Sequence, residues 1–171
     1  IFPGGFNEDF AKQVFGQNII ESLEMLYQYS MIEIDKLKSN RRFYLLEPAR
    51  TYAQDQIKFG YYQVDKYRNP ALAFYLNLAQ MINDINNKSW TIEERISILL
   101  IEELNINDLL AWGYENEAKC HESTSARITL MIEEFKFNVE LKSFNRDDRL
   151  AKALRAAQRC EDWSAIIDLY L

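Results

Sequence analysis

Three groups of side chains in this sequence invite a chemical reading. Cys120, His121 and Glu122 bring a thiol, an imidazole and a carboxylate together, the donor types that transition metals take. Consecutive residues on a helix or turn point in different directions, and no second ligand pair follows at zinc-like spacing, so no metal site is expected. Glu93-Glu94, Glu102-Glu103 and Glu133-Glu134 pair carboxylates along the chain. A catalytic pair needs convergent groups with separated pKa values, and these neighbours read instead as solvated helix faces. The third group is basic: Lys36, Lys38, Arg41 and Arg42 flank Ser39-Asn40 and offer cations to phosphates. No G-x-x-x-x-G-K-[ST] phosphate loop occurs, and the five glycines are scattered, so the segment is not expected to hydrolyse ATP or to be an enzyme.

Composition sets wide bounds. With 171 residues and 48% hydrophobic content, the chain can bury a core as one domain or two small ones. A net charge of -6 removes the general positive field that draws proteins to nucleic acid or anionic lipid, leaving only a local basic patch for such contact. Cys120 and Cys160 show no pairing pattern, and with no signal-peptide pattern among these residues free thiols in a reducing cytoplasm are expected. No apolar run approaches the ~18 residues of a membrane span. The chain opens on Ile1-Phe2-Pro3-Gly4-Gly5 and stops at Leu171 within a helical pattern, so neighbours are expected on both sides.

The elements that must position these groups follow from spacing. Asn7 can cap a short helix with Glu8 and Asp9 in its first turn, which Gly16 ends. Asn18 can cap a second, whose Ile19, Ile20, Leu23, Leu26 and Tyr27 share one face. Tyr29-Ser30 leaves the helix. Alternation from Met31 to Lys36 predicts a strand, and Phe43 to Leu46 its hairpin partner across Ser39-Asn40. From Pro48 to Lys58, the spacing of Ala49, Tyr52, Ala53 and Ile57 returns to a helix, with Gly60 placed to end it. On the residues alone, Glu47 caps that helix and Arg50 pairs with a surface carboxylate.

The order helix, helix, hairpin, helix, together with FPGGF at Phe2 to Phe6, SMIEID at Ser30 to Asp35, and Leu45-Leu46-Glu47-Pro48 before Arg50, Tyr52 and Ala53, resembles the winged-helix domain that follows the nucleotide-binding core of bacterial NB-ARC-type, STAND-class signalling NTPases. The resemblance implies a mainly α fold, with a winged helix and small β-hairpin over residues 1–60. It also implies ATP or ADP in the parent protein, though none bound by this segment. Relatives that carry a histidine at the position of Leu46 bring its imidazole to bound ADP. Leucine cannot donate that hydrogen bond, which leaves Glu47 and Arg50 as polar candidates at the interdomain hinge.

Residues 61–171 read as a helical linker and the start of TPR-like repeats. After Tyr61-Tyr62 and a break at Arg68-Asn69-Pro70, Leu72, Phe74, Tyr75, Leu78, Met81, Ile82 and Ile85 form an apolar face. Tyr61, Tyr62, Tyr67, Phe74 and Tyr75 are expected in core or interdomain contact. Thr91 with Glu94 makes a capping box. Ile92, Ile96, Leu99, Leu100 and Leu104 should line the buried side of a deeply packed helix, and Asn107 should cap another. A longer helix carries Ile128, Met131, Ile132, Phe135 and Val139. RLAKALRAAQRCEDWSAIIDLYL resembles one TPR-like pair, turning at Cys160-Glu161-Asp162, with alanines allowing close approach and Trp163 filling the gap.

These readings converge on a regulatory and interaction segment. Its expected partners are an upstream nucleotide-binding domain, downstream repeats and a protein or small-molecule signal, with no membrane. The alternative is a DNA-binding winged-helix transcription factor, with Asn18 to Tyr29 as recognition helix and Lys36, Lys38, Arg41 and Arg42 on phosphates. The stretch IIESLEMLYQY holds two glutamates and no Lys or Arg, which sets it against the groove-reading role.

Overall fold

The computed structural model describes residues 2–35, 41–62, 64–84, 86–115 and 119–170. In chain order the elements are β1 Phe6–Asn7, α1 Glu8–Phe15, α2 Ile19–Gln28, β2 Ile32–Asp35, β3 Arg42–Leu45, α3 Glu47–Lys58, α4 Asp65–Asn83, α5 Ile92–Glu115, α6 Lys119–Asn138, α7 Arg146–Arg159 and α8 Trp163–Tyr170. The protein is mainly α, with one small antiparallel sheet near its N-terminus. Two compact units divide between Phe74 and Tyr75.

In the N-terminal unit, Asn7 Oδ1 accepts a 2.8 Å hydrogen bond from the Phe10 amide and starts α1, and the Gly16 amide closes it on the Lys12 carbonyl at 3.0 Å. Asn18 precedes α2, yet its side chain makes no capping bond. The sheet has the order β1-β3-β2, pairing Phe6 with Phe43 and Ile32 with Leu45. The expected hairpin is therefore joined by a third strand on the far side of β3. Two residues are too few to show alternation, which is why β1 is silent in the sequence. The turn expected at Ser39-Asn40 lies outside the described residues.

The core of this unit is a cluster of phenylalanines. Phe2 meets Phe10 edge-on at 4.7 Å between centroids, Phe6 lies 6.0 Å from Phe43, and Phe10 also meets Phe74 at 5.0 Å. Such edge and tilted contacts add to plain burial. The chain reaches β1 through Gly5 at φ +68°, where a Cβ would fall 2.5 Å from the Phe43 carbonyl oxygen and 2.7 Å from the Tyr44 ring. Only glycine fits that turn.

In the C-terminal unit, α5 begins at the expected capping box. Thr91 Oγ1 accepts from the Glu94 amide at 3.2 Å, and Glu94 Oε2 accepts from the Thr91 amide at 2.8 Å. It then runs through Asn107 without interruption, and α4 runs through Arg68-Asn69-Pro70. Both expected breaks are absent. Pro70 stands early in α4, where it forfeits one intrahelical bond, and Asn107 is exposed.

The buried stripe of α5 also differs from the expected one. It carries Arg95, Leu99, Glu102, Ile106, Leu109 and Gly113, while Ile92, Leu100 and Leu104 are exposed. Polar partners take the inner face. Glu102 accepts from Tyr75 Oη at 2.8 Å and from Asn105 Nδ2 at 3.1 Å, and Arg95 donates to the carbonyls of Ile82 and Asn87. At Gly113, an added Cβ would collide with Ser125 Oγ, so α5 and α6 cross closely there. Ala126, Ala153, Ala156, Ala157 and Ala165 form the tight core under α7 and α8, as their small size suggests. Trp163 does not fill that gap: it is 68% exposed.

Candidate functional site

The hinge candidates lie together where β3 becomes α3. Leu46 has extended backbone, its amide donates to the Met31 carbonyl at 3.0 Å, and its carbonyl accepts from the Arg50 amide at 2.9 Å. Leu46 is thus the N-cap by backbone alone. Glu47 opens α3 with its carboxylate exposed at the positive helix end, and Pro48 follows in the first turn, where a missing amide proton costs no helix bond. Arg50 Nη2 donates to the Leu45 carbonyl at 3.4 Å. Its buried Nε stands 4.0 Å from Glu47 and has no hydrogen-bond partner. α3 buries none of its residues fully; Ala49, Ala53 and Ile57 are half-covered, while Tyr52, Phe59, Tyr61 and Tyr62 are exposed.

The wing arginines are engaged by neighbouring groups of the same unit. Arg41 donates through Nε and Nη2 to Glu8 Oε2 at 3.1 and 3.0 Å and through Nη1 to Glu24 at 3.4 Å. Lys12 at 2.7 Å shares Glu8; the Lys12 and Arg41 hydrogen bonds together hold its carboxyl below the usual range. Arg42 donates to the Gly4 carbonyl at 3.0 and 2.8 Å and to Gly5 at 3.2 Å. These two guanidiniums fasten β3 to the glycine turn, α1 and α2. Lys36 and Lys38 lie outside the described residues. On α2, Glu21 and Glu24 are exposed.

A second polar concentration, unforeseen in the sequence, lies wholly within the C-terminal unit. A groove of about 640 Å³ runs between α5, α6 and the start of α7. From α6, Lys136 enters with only 3% of its surface exposed and donates to Glu103 at 2.9 Å. From α7, Arg149 contacts Glu133, which is 0% exposed, at 3.1 Å. Tyr114 Oη meets Thr129 Oγ1 at 2.7 Å, and Lys152 Nζ sits 4.8 Å above the tyrosine ring. Burial pushes the Tyr114 phenol from 10.0 up to about 12, so it stays protonated at neutral pH. Lys136 falls eight residues after Ile128 and four after Ile132, on the same apolar stripe. A cation on an apolar stripe is the signal that marks this place. The expectation of solvated faces fails for Glu102 and Glu133, both buried, and holds for exposed Glu93, Glu94 and Glu134.

The His121 ring lies tilted against Trp112 with centroids 5.0 Å apart, and Glu122 accepts from Arg159 at 2.6 Å and from the Cys160 thiol at 3.5 Å. The Cys120 side chain lies outside the described ones. Among the described residues, no group of three or more His, Cys, Asp or Glu side chains is arranged to hold a metal. Burial raises the Cys160 thiol, which disfavours a reactive thiolate. Asp162 ties α6 to α8: it accepts from Arg127 at 2.6 and 2.7 Å, from Ser123 at 2.5 Å and from the Ala165 amide at 3.2 Å. Arg127 above all holds its carboxyl down at about 2.

Comparison with protein-family models, curated proteins and solved structures found no match.

Among the described residues, no helix is long and apolar enough to cross a membrane.

Proposed function

We propose that this chain is a non-catalytic regulatory and interaction segment of a bacterial STAND-type NTPase, coupling an upstream nucleotide-binding core to a helical-repeat sensor. Residues 1–60 act as its winged helix, and the later helices as a linker and the first TPR-like repeats. Signal binding to the repeats shifts the population toward a released arrangement in which the core exchanges ADP for ATP. The observation that carries this reading is α3: it follows the Leu45-Leu46-Glu47-Pro48 junction directly, yet it buries no residue fully. A helix of this length is marginal in water unless a face is packed, and a nucleotide-binding core would supply the cover. The exposed Glu47 carboxylate, 4.0 Å from Arg50 Nε, gives that partner a polar contact.

The DNA-binding alternative loses ground on electrostatics. Arg41 and Arg42 are committed to Glu8, Glu24, Gly4 and Gly5, and α2 presents glutamates. Equilibrium binding to random duplex DNA, and to the separately expressed native region before Ile1, tests both. The regulatory reading predicts no DNA binding at physiological salt and affinity for the upstream region that changes between ADP and ATP. A native upstream region without a phosphate loop overturns it. DNA binding with a steep salt slope that Arg41 and Arg42 substitutions flatten would establish the alternative instead.

A further inference from the structure

We infer that the groove between α5, α6 and α7 binds a small organic anion, a carboxylate or phosphate ester carried on an apolar body. Four cations line it, Lys136, Lys142, Arg149 and Lys152, against the carboxylates of Glu103 and Asp148. With Glu133 counted behind Arg149 the site is still net positive, although the whole chain carries -6. A local reversal of sign focuses the field on an anion.

The cations are built in. A lysine with 3% exposure is uncommon because its ammonium loses hydration, and Glu103, itself partly exposed, engages one of its three N–H donors at 2.9 Å. Arg149 is held from behind: Nε faces buried Glu133, which is not part of the groove wall, while Arg149 itself is. That ion pair restrains the guanidinium before binding, which lowers the side-chain freedom lost on binding, and its fork suits carboxylate or phosphate oxygens.

The apolar half of the ligand follows from the other wall. Phe144 is 87% exposed at the rim, and Leu100 and Leu141 stand in the same groove. A bare phenylalanine beside lysines is poor surface for water and good surface for a ring or alkyl chain. The volume of about 640 Å³ falls within the range of small-molecule sites.

This inference needs only the C-terminal unit, so it stands or falls apart from the regulatory reading. The test titrates the isotope-labelled full chain with phenyl phosphate, inorganic phosphate, phenol and a short polyglutamate peptide, following the backbone amides of Thr129, Lys136 and Arg149. Phenyl phosphate should shift them saturably, inorganic phosphate more weakly, and phenol not at all. Lys152→Glu and Lys142→Glu, whose side chains are exposed, should keep the folded spectrum and each weaken phenyl phosphate by about tenfold. No saturable shift, variants that bind as the parent does, or binding of the peptide alone would each overturn the proposal.

Discussion

Around Phe10 the N-terminal unit packs rings on rings, whereas around Glu133 the C-terminal unit buries carboxylates and cations between helices. Ring packing tolerates small shifts, because dispersion and burial depend weakly on direction. A buried ion pair does not: moving α6 against α7 by one turn separates Glu133 from Arg149. The aromatic unit is therefore held by burial, and the helical unit has its register fixed by charge as well.

The largest effect that tests this contrast is expected from Phe10→Ala, which removes a side chain with 1% exposure and should cost about 3–5 kcal/mol in denaturant unfolding. A loss nearer that of a surface site would show that the phenylalanine cluster is not the core. Next, Glu133→Ala should cost about 3 kcal/mol, at the low end for a broken buried pair because Arg149 keeps some contact with water. Replacing both partners by leucine should restore most of that stability while broadening the spectra of α6 and α7. Sharp spectra in the double variant would remove charge as the source of register.

Asp162→Asn should cost about 2 kcal/mol, since it removes the Arg127 pair and weakens a cap. The sign with pH follows from the depressed carboxyl. Its folded pKa of about 2 lies below the ordinary 3.8, so its stabilisation is complete above 3.8 and drains away as pH falls toward 2. The variant should lose stability less steeply across that acid window, with Glu8 still contributing; an unchanged slope would assign the acid sensitivity elsewhere. The smallest effect is expected from Arg41→Gln, under about 1 kcal/mol, because its ion pairs are partly exposed. A large loss there would make the sheet, not the rings, the organiser of the N-terminal unit.

Much of the chain's punctuation is legible in the sequence, because caps act locally. Asn7, Gly16 and the Thr91-Glu94 box each work within one turn and sit where their residue types place them. What the sequence obscures depends on partners far along the chain. α5 is aliphatic on most sides, so its periodicity does not settle which stripe faces inward, and the choice falls to Tyr75, Ile82 and Asn87, which satisfy Glu102 and Arg95. Pro70 and Asn107 read as breaks because each disfavours a helix by itself, while neighbouring turns outweigh a single lost bond. Of the candidate residues, the Leu46-Glu47-Arg50 junction is legible as a strand-to-helix turn. The groove is hidden because its cations come from two helices and a loop.

The crossing at Gly113 has a consequence for how this sequence can drift. Alanine there requires the Ser125 hydroxyl to turn away or be lost, and a larger residue must separate α5 from α6 and reopen the wall that carries Tyr114 and Thr129. The two positions form one linked choice. Descendants that keep this unit intact should exchange volume between 113 and 125 in tandem, and a change at either one alone should be rare.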